Sequence, residues 1–404
     1  MQFINQLQRI TLYIFFFFIN FEMFEPLSTF HISISRFTGI LYFLTIMPEI
    51  KFFVRTDRIN NILLFAWVFF GLLTLVSLLN INEVSNEFLN TMIFQNILLF
   101  WFLINHARKD YLILEKGMLF FAFGAIIIAL FYIAGIGVEY DVGGRLSMFK
   151  ENQNSLGVKM NLGIIILFLA VIQDKLQIGR IRYLFLIPVP LLVDFLFATG
   201  SRISFTSFIL CIVAGIVLLK TKKSIGKLVT IFTGIVGLII IGTLVMQTPV
   251  LRDRLLQSAQ EGDLSHRDVI WRNLLPLIKE NPVFGVGQSG YNYYTLITFG
   301  GEKSPHNVIL EVICLTGFVG LLIYLSFLYK VFQRAYQVYG KVGLLLPILL
   351  AIPILGLLLS GQILGQKVGW IIFAYMVGST AIKKGSMKIT CDKRSIENEN
   401  PLCN

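Results

Sequence analysis

Residues 265–320 read SHRDVIWRNLLPLIKENPVFGVGQSGYNYYTLITFGGEKSPHNVILEVICLTGFVG. The first part of this stretch is polar and carries Arg267, Trp271 and His306. From about residue 306 the stretch becomes apolar enough to predict a membrane helix. A polar segment therefore meets the bilayer here, and we interpret the rest of the chain as the helical frame that holds it.

The composition excludes an ordinary soluble protein. The 404 residues are 56% hydrophobic and only 14% charged, and the mean hydropathy of +0.76 indicates more apolar surface than one soluble core can bury. The net charge of +11 would suggest nucleic acid in a soluble protein, but here the basic residues lie in short loops between apolar runs. We predict a multi-pass protein of the cell membrane, with the lipid bilayer as a partner and no nucleic acid.

About twelve membrane spans are predicted, because a spanning helix needs about 20 apolar residues. The segments lie at roughly 10–21, 32–50, 60–80, 89–105, 116–137, 155–173, 182–198, 203–220, 226–246, 306–329, 343–360 and 364–382. The first segment follows Arg9 and lacks a small-residue cleavage site, so we interpret it as a retained span rather than a signal peptide. The predicted fold class is an all-α polytopic transmembrane helical bundle.

The basic residues predict the orientation. With both termini in the cytoplasm, the short outer loops hold few cations, namely Arg36, Arg145, Lys150, Arg202 and Lys367. The predicted organisation is then nine spans in residues 1–246, a large extracytoplasmic loop in 247–305, three spans in 306–383 and a cytoplasmic tail in 384–404.

The large loop has a predicted helix of its own. Ser265 and Asp268 fit a capping pattern at a helix start. An apolar face follows at helical spacing, formed by Ile270, Leu274, Leu277 and Ile278. We expect Pro276 to kink this helix and Asn281-Pro282 to end it.

Polar clusters from four separate stretches fall on the predicted outer side. Residues 143–157 read GGRLSMFKENQNSLG and carry Arg145 and Asn154, and residues 198–204 read ATGSRIS with Arg202. The loop helix carries Arg267 and Trp271, which share a face because they are four residues apart. The fourth cluster is formed by His306, Asn307 and Glu311.

Two other kinds of site are excluded. Gly285, Gly287 and Gly290 spell G-x-G-x-x-G, but no strand-helix-strand unit surrounds them, so they predict a tight turn rather than a dinucleotide site. His, Cys and carboxylate residues do not cluster, so we expect no metal and no cofactor.

The motifs together resemble the O-antigen ligase and polysaccharide polymerase superfamily of bacterial membrane glycosyltransferases. The resemblance rests on five pieces in order: GRLSMFKENQNSLG, TGSR, Arg267 with Trp271, NPVFGVG at 281–287, and PHN at 305–307 followed by TGFVG at 316–320. One departure is Gln153, where the family often has proline between two asparagines.

The resemblance implies a metal-independent, inverting glycosyltransferase that uses a polyprenyl diphosphate-linked saccharide at the outer membrane face. It also implies a helical bundle related to lipid-linked sugar transferases of the GT-C type. The implied partner is an undecaprenyl diphosphate-linked oligosaccharide, together with a flippase and a chain-length regulator of the same pathway.

Roles for individual residues follow from the chemistry of such a donor. Guanidinium groups bind phosphate oxygens bidentately, so Arg145, Arg202 and Arg267 are candidates for the diphosphate. His306 is the candidate to activate the acceptor hydroxyl, with Arg267 as a second catalytic residue. The candidates for binding the sugars are Asn154, Trp271, Asn307 and Glu311, whereas Arg252, Arg254 and Arg272 are expected to be solvated.

Three functions remain open at this point. The first is a polymerase that extends capsule, exopolysaccharide or O-antigen chains, and the second is a ligase that transfers the finished glycan to a lipid or protein acceptor. The third is a lipid-linked oligosaccharide flippase or another transporter. A transporter is disfavoured, because the two halves show no inverted repeat and one outer loop is large.

Overall fold

The computed structural model describes residues 2–25, 33–57, 59–82, 88–141, 143–173, 175–219, 224–261, 267–360 and 364–381. Within these ranges the regular structure is helical except for one antiparallel hairpin of β1 (Val138–Tyr140) and β2 (Leu146–Met148). The predicted all-α class is confirmed. Several residues used for the predictions lie outside the described ranges, namely Ser265 and the tail from 384 to 404.

Sixteen α-helices form the described part of the chain. Those of the first half are α1 (Gln2–Phe18), α2 (Ile34–Ile46), α3 (Ile50–Phe53), α4 (Asn60–Leu79), α5 (Phe88–Lys109), α6 (Ile113–Ile133), α7 (Gln153–Gln173) and α8 (Val189–Ala198). Those of the second half are α9 (Arg202–Leu218), α10 (Ser224–Gln247), α11 (Pro249–Glu261), α12 (Arg267–Glu280), α13 (Gly287–Phe299), α14 (Val308–Val342), α15 (Leu346–Ser360) and α16 (Lys367–Gly378).

Among the described residues, five helical segments are long and apolar enough to cross a membrane. They are Asn60–Leu79, Ile113–Ile133, Gln153–Gln173, Gly179–Ala198 and Val308–Val342. A sixth is possible if Gly234–Gln247 and Pro249–Gln257, which meet at 95°, form one broken span. Every predicted span overlaps a helix, but several helices are short, such as α16 with 12 residues. The chain is thus a multi-pass helical membrane protein, and the count of about twelve spans stays a prediction.

Helix α7 lies at the centre of the bundle. It packs against α6, α8, α9 and α15, and 83% of its apolar window is buried. A helix that is apolar on all sides is expected in such a position, because it has no face to present to water. The first residues of α7 belong to the candidate site described below, so one side of the site is carried by a largely buried helix.

The large loop is itself helical and consists of α11, α12 and α13. Helix α12 buries Ile270, Leu274 and Leu277, which confirms the predicted amphipathic face. It continues past Pro276 and ends at Glu280, next to the predicted stop at Asn281-Pro282.

The turn after α12 docks into a break in α14. At Gly317 the helix has φ 63° and ψ −166°, which are not helical values. The amides of Phe318 and Val319 donate to the carbonyls of residues 282 and 283 at 2.9 and 3.2 Å, and the Val286 amide donates to the Cys314 carbonyl at 3.0 Å. The turn therefore pairs with backbone groups that the break in the helix exposes.

Glycines make this close approach possible. Gly285 and Gly287 both have φ 66°, which L-residues with a Cβ rarely adopt. A Cβ on Gly317 would lie 2.2 Å from the Val283 carbonyl oxygen, and one on Gly287 would lie 2.4 Å from the Cα of Ser77 in α4. The predicted tight turn is confirmed, and it ties α12 and α13 to α14 and α4.

We expect Gly287→Ala to destabilise the protein more than Gly300→Ala. Both glycines have a positive φ, but a Cβ on Gly300 would meet nothing within 4 Å. Gly300→Ala is therefore the control, and its loss of stability reflects only the cost of a left-handed backbone at a residue with a Cβ, about 1–2 kcal/mol. Gly287→Ala adds a steric clash with the backbone of α4, so we expect it to cost about 3 kcal/mol or more. Thermal unfolding of the purified chain in detergent measures both, and equal losses would contradict the docking role.

Candidate active site

The turn between α8 and α9 holds the side chain of Arg145. The Arg145 Nε donates to the Thr199 carbonyl at 3.3 Å, and Nη2 donates to the Asn154 Oδ1 at 3.4 Å. The same Asn154 oxygen accepts the Ser201 hydroxyl at 2.9 Å. Arg145 comes from the hairpin and Asn154 from the first turn of α7, so three separate segments fix one guanidinium.

Arg202 begins α9 beside this turn. Ser201 caps the helix, because its hydroxyl accepts the Ser204 amide. The amino end of a helix carries partial positive charge, which favours anions. Arg202 and the start of α9 therefore add positive potential at the place where Arg145 lies.

Helix α11 brings a further cation, Arg254, to the same place. The Arg202 Nη1 donates to the Arg254 carbonyl at 3.5 Å. A Cβ on Gly200 would lie 2.9 Å from Val250, 3.3 Å from Arg145 and 3.6 Å from Arg254. Val250 and Arg254 share a helical face, because they are four residues apart, and this face packs on the turn.

The expectation that Arg254 would be solvated is wrong, since Arg254 packs within this site. The spacing of Val250 and Arg254 in the sequence predicts that they share a helical face. Only the packing of α11 shows that this face contacts the turn between α8 and α9. For the other two arginines the expectation holds. Arg252 pairs with Asp253 at 2.9 Å, and Arg272, whose side chain is 77% exposed, pairs with Asp268 at 2.9 Å.

Four guanidinium groups act on one another in this site. The pKa of Arg145 falls to about 10, chiefly because the side chain is buried. The charges of Arg254, Arg202 and Arg267 lower it as well, while the Asp141 carboxylate, 3.9 Å away, opposes them. The pKa of Arg267 is also lowered, first by burial and then by Arg202 and Arg254. We call Arg145, Arg202, Arg254 and Arg267 the arginine cluster.

A cluster of this kind favours an anion. Like charges held together by the fold raise one another's free energy, and a bound anion relieves that repulsion. An open cavity of about 370 Å³ borders the cluster at Arg254, and its lining also includes Gly143, Val250 and Asp253. The Asp253 carboxylate pairs with Arg252, so the cluster adjoins open space at Arg254.

His306 lies next to the arginine cluster, just before α14. Burial, Arg267 and Lys303 lower its pKa below the ordinary 6.5, so the imidazole is neutral near pH 7. Its backbone has φ 50°, a left-handed conformation that is costly for a residue with a side chain. The His306 amide donates to the Ser304 hydroxyl at 3.1 Å. The fold thus holds a neutral imidazole beside a cationic group.

The side chains of Trp271 and Asn307 form hydrogen bonds with backbone groups before and after His306. The Trp271 indole N–H donates to the Pro305 carbonyl at 2.8 Å. The Asn307 side chain caps α14 by accepting the Leu310 amide at 3.2 Å. Both residues were expected to bind sugar, and both hold the segment that carries the imidazole.

Glu311 lies deeper in the bundle than the other candidate residues. It is 8% exposed, and within the described part of the chain its Oε2 has no hydrogen-bond partner. Burial and, to a smaller extent, the charges of Cys314 and Glu311 raise the pKa of Tyr291 in α13. The carboxyl group is therefore within electrostatic reach of Tyr291 in α13.

A buried ion pair supports the Arg145 side of the site. Lys159 in α7 pairs with Glu151, and their side chains are 0% and 6% exposed. Glu151 also accepts the Ser155 hydroxyl at 2.7 Å, and Lys159 donates to the Ile19 carbonyl at 3.2 Å. The pair fixes the loop that leads into Asn154, so Lys159 acts as a counter-ion within the frame.

Two comparisons with known proteins bear on this site. Residues 187–325 match the model of the O-antigen ligase family, a range that contains Arg202, Arg254, Arg267 and His306. A candidate polysaccharide ligase of Rickettsia conorii is 29% identical over 94 residues, which cover 20% of this chain and 23% of that protein. The chain thus matches about a quarter of that relative's length. Both findings confirm the resemblance seen in the motifs.

We expect Lys159→Met to destabilise the protein strongly and Lys159→Met combined with Glu151→Gln to restore most of the loss. The single variant leaves a buried carboxylate without its partner, which costs about 3–5 kcal/mol, whereas removing both charges is close to neutral. Denaturant unfolding in detergent measures the difference. As a control, Arg272→Met breaks the exposed pair with Asp268 and should cost about 1 kcal/mol or less. A double variant no more stable than the single one would contradict the pairing.

Proposed function

We propose that this chain, whose residues 187–325 match the model of the O-antigen ligase family, is a polysaccharide polymerase of the outer face of the cytoplasmic membrane. The donor is an undecaprenyl diphosphate-linked glycan, and the acceptor is a sugar hydroxyl of another lipid-linked repeat unit. The observation that carries the proposal is the arginine cluster with His306 beside it.

The arginine cluster neutralises the donor diphosphate. When the bond between the anomeric carbon and the phosphate oxygen breaks, negative charge grows on the leaving diphosphate, and fixed cations at that place lower the barrier. Arg145 is held by Thr199 and Asn154, so little reorganisation is needed as the charge develops. Planar guanidinium groups suit this task because they bind two phosphate oxygens at once.

His306 takes the proton of the acceptor hydroxyl. The hydroxyl oxygen attacks the anomeric carbon from the face opposite the diphosphate, so the new bond has inverted configuration. The lowered pKa of His306 keeps its imidazole neutral and able to accept the proton. Trp271 and Asn307 position this imidazole through Pro305 and the start of α14. The chemistry assigned to these residues needs no metal ion.

A ligase is the second candidate. It uses the same donor and the same bond-breaking step, but it transfers the glycan to a lipid or protein acceptor. The description of the matched family and the name of the Rickettsia conorii relative favour this alternative. The two functions differ in the acceptor, so the products distinguish them.

The proposed function is tested with purified protein and lipid diphosphate-linked repeat units, without added metal or nucleotide. Longer lipid-linked glycans are expected for a polymerase, and glycan on a newly supplied acceptor for a ligase. We expect Arg267→Ala and His306→Ala to lower turnover by about 100-fold or more, and Arg254→Ala to lower it as well. The matched controls Arg272→Ala and Arg252→Ala, whose side chains pair with neighbouring acids, should stay near the wild type.

Two outcomes of this assay would count against the proposal. Absence of both kinds of product from the wild-type protein would remove the enzyme function. Near-normal turnover in both the Arg267 and His306 variants, with normal membrane insertion, would show that the proposed site is wrong, although the proposed function would still stand.

The pH dependence of turnover provides a further prediction. The positive charge of Lys303 contributes to the lowered pKa of His306, so Lys303→Gln should raise that pKa. Because neutral imidazole is the active form, turnover of the wild type is retained at pH 6.5 and lost only as pH falls through the lowered pKa. The acid limb of the pH profile should move to higher pH in Lys303→Gln, most clearly at low salt. Lys279→Gln on α12 is the control, and an equal shift there would contradict a local effect.

A further inference from the structure

Helix α13 buries its polar side and exposes its apolar side. Its buried residues are mostly polar, namely Gln288, Ser289, Asn292 and Thr295, together with Gly287 and Tyr291. Its exposed residues are Tyr293, Leu296, Ile297 and Thr298, and Ile297 is 67% exposed. A helix that faces water buries its apolar side, as α12 does with Ile270, Leu274 and Leu277. The arrangement of α13 is therefore the one expected of a helix whose outer side meets an apolar medium.

The polar side of α13 is bonded to the bundle. The Gln288 amide donates to the Ser77 hydroxyl in α4 at 2.8 Å, and the Asn90 amide in α5 donates to the Gln288 Oε1 at 3.2 Å. These hydrogen bonds fix the rotation of the helix, so its apolar side is held away from the bundle.

The stretch that contains α13 carries no charged side chain. Residues 281–301 include no Asp, Glu, Lys or Arg, whereas residues 247–280 of the same large loop include ten. A charged side chain on a surface that contacts lipid is costly, and an uncharged stretch avoids that cost. The large loop thus has a charged half, which bears Arg254 and Arg267, and an uncharged half.

The turn before α13 lies at membrane depth. It pairs with α14 at Phe318 and Val319. The 18 residues 312–329 of α14 carry no charge and extend about 27 Å, close to the thickness of a hydrocarbon core, about 30 Å. Phe318 is six residues after the start of this segment, which corresponds to roughly 10 Å along a helix. The turn therefore lies below the membrane surface rather than above it.

The exposed side chains of the turn continue a lipid-facing stripe of α14. The exposed residues of segment 312–329 fall at helical spacing on one face; they are Phe318, Leu322, Leu325 and Tyr329. In the turn, Val283 and Phe284 are exposed as well. A Cβ on Gly317 would lie 2.5 Å from the Phe284 backbone nitrogen, so the turn adjoins the start of the stripe.

The backbone of the turn is suited to this depth. Irregular backbone inside the hydrocarbon region requires partners within the protein. Pro282 has no amide to satisfy, and the Gly285 amide donates to the Asn281 carbonyl at 3.1 Å. The carbonyls of Pro282 and Val283 and the amide of Val286 bond to α14. These groups are paired with the protein, while the apolar side chains of the turn are exposed.

We propose that residues 281–299 form a re-entrant element, which enters the membrane and leaves on the same side, and that it contacts the acyl chains of one leaflet. Phe284 in the turn and Ile297 on α13 are its lipid contacts, and the polar side of α13 seals it against α4 and α5. With the arginine cluster on the outer face, as proposed above, this is the outer leaflet. The charged half of the large loop then lies above the membrane.

The test uses the full-length protein in phosphatidylcholine vesicles. A photoreactive p-benzoylphenylalanine replaces Phe284 or Ile297, and after illumination mass spectrometry measures the fraction of protein that carries a cross-linked lipid. Leu322 is the matched lipid-facing control, and Arg272, whose side chain is 77% exposed on α12, is the control in water. We expect yields at Phe284 and Ile297 within about twofold of Leu322 and roughly tenfold lower at Arg272, because acyl chains are excluded from water.

The folding of each variant is checked by thermal unfolding against the wild type. If a substitution at Phe284 or Ile297 lowers the unfolding temperature strongly, the cross-linker is placed instead at Val283 or Leu296, which are exposed on the same element.

Two outcomes would overturn the proposal. A lipid yield at either tested position as low as that at Arg272 would show that the element lies in water. Cross-links to a second copy of the chain in place of lipid would show that the surface is an interface between subunits. Since no glycan transfer is measured, these results are independent of the proposed enzyme activity.

Discussion

The site depends on the backbone pairing between the turn after α12 and the break in α14. A membrane helix normally satisfies its own amides and carbonyls, because lipid offers no alternative partner. At Gly317 the helical hydrogen-bond pattern is interrupted. The amides of the next two residues donate instead to the carbonyls of Pro282 and Val283 in the turn after α12. These backbone hydrogen bonds connect α12, which carries Arg267, to α14, which begins just after His306.

The arginine cluster, unlike this backbone pairing, is unfavourable for the stability of the protein. Its members repel one another and are partly buried, and other interactions in the fold must offset this free-energy cost. The Thr199 carbonyl, the Asn154 side chain and the buried pair of Lys159 with Glu151 supply rigid support on one side. Such a site is less stable without an anion than with one, and the proposed donor diphosphate is the anion that the enzyme would bind and then release.

Sequence patterns predicted α12 well, because amphipathic periodicity is a local property and Ile270, Leu274 and Leu277 are indeed buried. Local patterns also singled out Arg145, Arg202, Arg267 and His306. The fold brings Arg145 within electrostatic reach of Arg202 and Arg267, and Arg267 within reach of His306. The patterns failed for Arg254, because one-dimensional spacing does not say against which surface α11 packs. They did single out Trp271 and Asn307, but as sugar-binding residues, and did not predict the hydrogen bonds by which these two side chains hold the backbone around His306.

The sequence by itself determined that this is a helical, multi-pass membrane protein with motifs that resemble those of the O-antigen ligase and polymerase superfamily. Hydropathy and residue spacing suffice for that, because the bilayer imposes helices on any chain this apolar. Only the tertiary structure decided which polar residues meet. Arg145 and Arg254 are more than a hundred positions apart in the chain, and the packing of α11 on the turn around Gly200 alone brings them together, because contacts between distant segments depend on shape rather than on local pattern.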